Sequence, residues 1–115
     1  MAPKNTKQNL LLKTALAAHS EGKLNRAIRA YRKVLQKGFN VSASNGLTIA
    51  LRDLGFSKKA LAVIEVSISV DPFHPVLLNT YGTVLVALGL ENEAIKRFRE
   101  SLKTAPTYVA AWANL

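Results

Sequence analysis

A chain of 115 residues is long enough to bury a core unaided, and with no cysteine it excludes disulfide frameworks, thiolate nucleophiles, thiolate zinc sites and iron–sulfur clusters. Apolar residues make up 49% and charged residues 20%, with 6 Gly and 4 Pro, a globular rather than a disordered composition. The net charge of +9 is concentrated in residues 1–40, where nine Lys or Arg stand against Glu21, while the rest of the chain is close to neutral.

In chain order, residues 1–7 read as a basic tail. Leu10, Leu11 and Leu12 follow it, and Ala15-Leu16-Ala17 imitates a signal cleavage site. Lys13 interrupts that run after three leucines, and the apolar period continues through the supposed site to Ala27, Tyr31 and Leu35, so a signal segment is rejected. No apolar stretch approaches the ~18 residues that span a bilayer, which makes a cytoplasmic location the expectation. Apolar spacings of three and four predict helices over 7–20, 24–37, 41–54, 57–70, 75–88, 91–104 and 108–115. Ser57 is expected to cap its helix, Glu91 and Glu93 fall in a positive first turn, and Asp71-Pro72 and Ala105-Pro106 follow helix ends.

Three segments align: Gly22-Lys-Leu-Asn-Arg-Ala27, Gly55-Phe-Ser-Lys-Lys-Ala60 and Gly89-Leu-Glu-Asn-Glu-Ala94. Four residues beyond each Ala stands Tyr31, Ile64 or Phe98, and four further Leu35, Ile68 or Leu102; Pro72 and Pro106 recur in the second and third copies. The spacing is 33 residues between the first two copies and 34 between the last two. Each unit is therefore two helices joined by a tight Gly turn, with Ala where the pair crosses closely and Ala15 and Gly82 in the matching part of the opposing helix. The units are 8–40, 41–74 and 75–108, and 109–115 opens a fourth.

This period and these landmarks resemble the tetratricopeptide repeat family. Leu78, Tyr81-Gly82, Leu85, Ala94, Phe98 and Pro106 match the signature in the third unit, and Trp112-Ala-Asn-Leu115 matches its opening. Departures are Phe39 for Pro in the first unit and Ser44 and Thr48 for a bulky residue and Gly in the second. The resemblance implies an all-α, right-handed solenoid of antiparallel helix pairs, and a non-catalytic scaffold that receives a peptide or partner helix on its concave face.

In that family repeat positions 2, 5, 9 and 12 point inward. Here they are Asn9, Leu12, Leu16 and His19, then Ser42, Asn45, Ile49 and Arg52, then Val76, Asn79, Thr83 and Val86. The candidate peptide contacts are Asn9, Lys13, His19, Asn45, Arg52, Asn79, Thr83 and Asn114. Asn45 and Asn79, 34 residues apart, form a short amide ladder suited to a peptide backbone, and it reads equally as a solvated helix face. Replacing both by Ala is expected to weaken a partner without lowering stability. The two-carboxylate clamp of some family members is not expected, because the third unit offers Val76 and Thr80 for its Lys and Arg.

Arg26, Arg29, Lys33 and Lys37, spaced 3, 4 and 4, form a basic stripe opposite Ala27, Tyr31 and Leu35, on the convex side. It reads either as a solubilising end cap or as a site for an anionic partner. Nucleic acid is the weaker version, because Tyr31, the aromatic near the stripe, is buried by the repeat. No catalytic residue, cofactor or metal is expected: Ser and Thr have no activating His and acid, His74 lies in an inter-repeat turn, and each Gly22, Gly55 and Gly89 is a hairpin turn. An alternative role is the N-terminal substrate-selecting segment of a longer transferase-type enzyme. Trp112 and Leu115 are expected at core positions of a truncated fourth unit, with self-association through Trp112 and the helix 91–104.

Overall fold

The computed structural model describes residues 6–115, and these form seven α-helices in the order α1 (Thr6–Ser20), α2 (Leu24–Gln36), α3 (Val41–Asp53), α4 (Ser57–Val70), α5 (Pro75–Ala87), α6 (Glu91–Thr104) and α7 (Val109–Asn114). Among the described residues there is no strand, and no helix is long and apolar enough to cross a membrane. The first five residues of the expected basic tail, Lys4 included, lie outside the described residues; Thr6 and Lys7 belong to α1.

Each hairpin closes on a glycine in the left-handed region: Gly22, Gly55 and Gly89 have φ of 77°, 88° and 78°. At each, the N–H of the following residue reaches back across the helix end, Lys23 to Ala18, Phe56 to Leu51 and Leu90 to Leu85, so orphan carbonyls of the finished helix are capped in the same way three times. The starts of the outer helices carry no side-chain cap. Ser57, expected to cap α4, is its first helical residue, and Phe56 occupies the cap position without a side-chain bond. The starts of α3 and α5 are capped instead: Asn40 Oδ1 accepts from the Ala43 N–H at 2.9 Å, and His74 Nδ1 accepts from the Val76 N–H at 3.3 Å, with Pro75 following where its missing N–H costs nothing.

The odd-numbered helices α1, α3, α5 and α7 touch in succession, whereas α2, α4 and α6 touch only the odd-numbered helices beside them. That asymmetry curves the stack, with the odd helices on the inner face and the even helices splayed outward. Ala27, Ala60 and Ala94 are buried at the hairpin crossings. Tyr31 and Phe98 are the largest fully buried side chains, and each occupies space that a glycine leaves open, Gly46 for Tyr31 and Gly82 for Phe98. Gly82 therefore serves its hairpin by admitting Phe98, one turn beyond Ala94.

Where the first unit has Phe39 instead of Pro, a side chain finishes the helix. Gln8 is buried, and its amide donates to the carbonyls of Val34 at 3.2 Å and Gly38 at 3.0 Å, tying α1 to the end of α2. Trp112 and Leu115, expected in the core, are 59% and 49% exposed. The short α7 is held through Ala111, which is fully buried, and the Trp112 indole N–H donates to the Pro106 carbonyl at 2.8 Å.

Candidate functional site: the inner face

The inner face is built from the odd helices, and the structure divides the candidate residues there into two groups. Asn9 and Lys13 are exposed on α1, beside Leu16, which is 47% exposed. The others are engaged with one another or with the scaffold.

Two of these engagements repeat. The Thr80 hydroxyl donates to Asn45 Oδ1, and Asn114 Nδ2 donates to Asn79 Oδ1 at 3.0 Å. Both pairs join residues 35 apart, so each carboxamide oxygen on one repeat is held by the polar residue one position later on the next. Asn45 and Asn79 thus each link their own repeat to the next. This corrects the expectation that replacing both by Ala leaves stability unchanged, because each substitution removes a link between repeats. Among the described residues neither Asn45 nor Asn79 gives its amide NH2 to another protein group. With the oxygen end fixed, the donor end of each amide is held in one orientation.

Arg52 and Thr83, both half-buried, form a third link. Arg52 Nη1 donates to Thr83 Oγ1 at 2.7 Å, Thr83 donates in turn to the Thr80 carbonyl, and the remaining edge of the guanidinium lies on Asp53, with Nη2 at 3.0 Å. His19 turns toward its own hairpin: Nδ1 pairs with the Tyr31 hydroxyl at 2.7 Å, and the rings meet edge-on at 5.6 Å. Burial of Tyr31 raises its phenol above the ordinary value of 10.0. The inner face is thus a mixed surface, with exposed Leu16 and Val86 and half-buried Ile49 among amides and the cations Lys13 and Arg52.

The basic stripe of α2 is fully on the surface but is divided by its helix. Arg26 and Arg29 line a shallow groove of about 350 Å³ against Leu54, whereas Lys33 and Lys37 line one of about 420 Å³ with Lys7 on the other flank. Gln8, Thr80 and the cap residues Asn40 and His74 were not singled out as functional positions by periodicity, since a polar residue next to an inward position carries no signal until its neighbour on the next repeat is known.

No family model matches the chain. It is 37% identical over 75 residues to Protein FlbA of Caulobacter vibrioides, an overlap covering 65% of this chain and 13% of that protein. Its structure resembles that of a mutant of the Thermobaculum terrenum O-GlcNAc transferase with a TM-score of 0.85 at 26% identity, over 96% of this chain and 22% of that one. The chain thus spans only a small part of these two relatives. It also resembles the first TPR domain of Spaghetti (RPAP3) bound to the HSP90 peptide SRMEEVD, with a TM-score of 0.88 at 19% identity over 97% of this chain and 90% of that one. PcrH from Pseudomonas aeruginosa has a TM-score of 0.87 at 16% identity, over 99% of this chain and 89% of that one. Glycine-closed hairpins repeating at 33 and 34 residues, stacked as in these structures, give the chain the fold of a tetratricopeptide-repeat array, with three helical hairpins and one further helix.

Proposed function

We propose that the chain is a non-catalytic, cytoplasmic protein-interaction scaffold whose inner face receives a peptide or helix of a partner protein. The carrying observation is the pair of oriented amide donors, Asn45 and Asn79, whose oxygens are tied back to Thr80 and Asn114 while their NH2 groups remain for a ligand carbonyl. Leu16, Ile49 and Val86 supply apolar contacts beside them, so backbone recognition and side-chain burial are offered together. Peptide complexes of similar arrays support the reading: the RPAP3 domains with HSP90 and HSP70 peptides, and PcrH with the chaperone-binding region of PopB. A doubly carboxylated peptide end is not the favoured ligand, because Thr80, at a clamp position, is buried and gives its hydroxyl to Asn45.

The overlap with an O-GlcNAc transferase favours a second reading, in which such repeats select substrate for a transferase within a longer protein. Exposure of Val109, Trp112 and Leu115 favours self-association at that end of the stack.

The test uses peptides recovered by panning a random phage-displayed library on the chain. Leu16→Glu combined with Asn45→Asp keeps the oxygen that accepts from Thr80 while removing an NH2 donor and adding charge to the apolar stripe. The pair is expected to weaken these peptides by about tenfold or more, which is about 1.4 kcal/mol. Recovery only of peptides indifferent to the pair would overturn the proposal.

A further inference from the structure

On the outer side, α2 and α4 do not touch, and the space between them is a groove of about 720 Å³, larger than those beside the basic stripe. Its origin can be read from the second repeat. Ser44 stands where the third repeat has Leu78, and it pairs with Ser67 at 2.6 Å across the groove floor, Ser67 itself donating to the Val63 carbonyl at 2.8 Å. Two small hydroxyls satisfied by each other replace a bulky side chain, so the floor sinks without leaving a polar group unpaired. In the third repeat, with Leu78 in place, the corresponding groove is about 260 Å³.

The walls are apolar and unusually open to water: Val66 is 66% exposed, Val70 55% and Phe39 41%. Arg32 lines the same groove from α2, and Arg29, one turn before it, lines the neighbouring groove. No acidic residue lines either of these two grooves. The crevice therefore sets the cationic Arg32 beside an apolar wall of Phe39, Val66 and Val70, and Arg29 stands one turn before Arg32 on α2, outside the crevice itself. A small amphiphile is a poor match, since an open groove of this kind leaves most of such a ligand in water, whereas small-molecule sites enclose theirs. A helix laid along the crevice covers the apolar wall and sets its carboxylates against Arg32 at once.

We propose that the crevice between α2 and α4 is a second docking site, separate from the inner face, for an acidic amphipathic helix of a partner protein. Apolar side chains three and four residues apart on that helix pack on Val66, Val70 and Phe39, and Asp or Glu on it pairs with Arg32, with Arg29 adding positive charge one turn before Arg32 on α2.

The probe is a phage-displayed library of random 16-residue peptides panned on the chain, with recovered peptides measured individually. The expected result is a class rich in Asp and Glu, with apolar residues at helical spacing, whose affinity falls about tenfold or more with either Val66→Glu or Arg32→Glu and weakens as salt is raised. These positions are exposed, so both variants are expected to melt as the parent does. The same peptides are expected to be indifferent to Leu16→Glu with Asn45→Asp, which separates this site from the inner face. Absence of such a class, or acidic peptides that ignore both outer variants, would overturn the proposal. So would Val66-dependent binding to vesicles of anionic phospholipid in place of peptide, which would assign the crevice to a membrane surface.

Discussion

Two glycines and the rings that meet them show how single residues set this fold. A methyl group at Gly82 would meet the Phe98 ring, and one at Gly46 the Tyr31 ring, both rings being fully or almost fully buried. Gly82→Ala is therefore expected to destabilise the chain by about 1–3 kcal/mol, measurable by urea denaturation, with Phe98→Leu in the same background recovering part of the loss by making room. Tyr31 adds a pH dependence. Burial raises its phenol above 10.0, so folding holds it neutral; the stability this contributes is present below pH 10 and is lost as pH rises through the folded-state value. Tyr31→Phe, which lacks the ionising group but also the bond to His19, is expected to be less stable than the parent at neutral pH and to narrow that difference above about pH 10, as thermal melts at both pH values would record. The role of Gly82 was legible from its place in the signature, but its partner was not. Gly46 was missed because nothing in its own helix marks it: the need for it arises on Tyr31, in the preceding repeat.

At the scale of elements, helix positions were legible almost throughout, because three copies of one pattern fix each other's register and every hairpin closes on a glycine. Gly55 joins α3 to α4 with φ at 88°, and the Phe56 N–H reaches Leu51 behind it. Gly55→Ala has open space for its methyl yet must adopt a left-handed backbone, so a loss of about 1–2 kcal/mol is expected from backbone conformation alone. Chemical denaturation of Gly55→Ala against Gly55→Asn checks this, Asn tolerating that conformation better. Helix caps were less legible. Ser57 had the right chemistry but stands inside α4, whereas Asn40 and His74 cap α3 and α5 from turns whose geometry depends on the repeat before. Gln8 illustrates the same limit: it closes α2 from the first helix, across 26 and 30 residues of sequence.

At the scale of the whole molecule, 43 × 33 × 23 Å in extent, curvature separates an inner face of touching helices from an outer face of separated ones. The inner positions were legible from the repeat numbering, but their chemistry was only half so. That Asn45 and Asn79 share one repeat position was readable; that their oxygens clasp the next repeat was not, since Thr80 and Asn114 become partners only when repeats stack. The outer crevice was less legible still, because it is created by what Ser44 leaves out. The central claim is that the donor ends of the two inner amides serve a ligand. The most direct measurement follows the side-chain NH2 signals of Asn45 and Asn79 by two-dimensional NMR while the tightest peptide recovered on the chain is titrated to saturation. The expected result is that both pairs of signals shift in step with binding while those of Asn25 and Asn92, exposed on α2 and α6, stay in place. Saturation that leaves the Asn45 and Asn79 signals unmoved would contradict the claim.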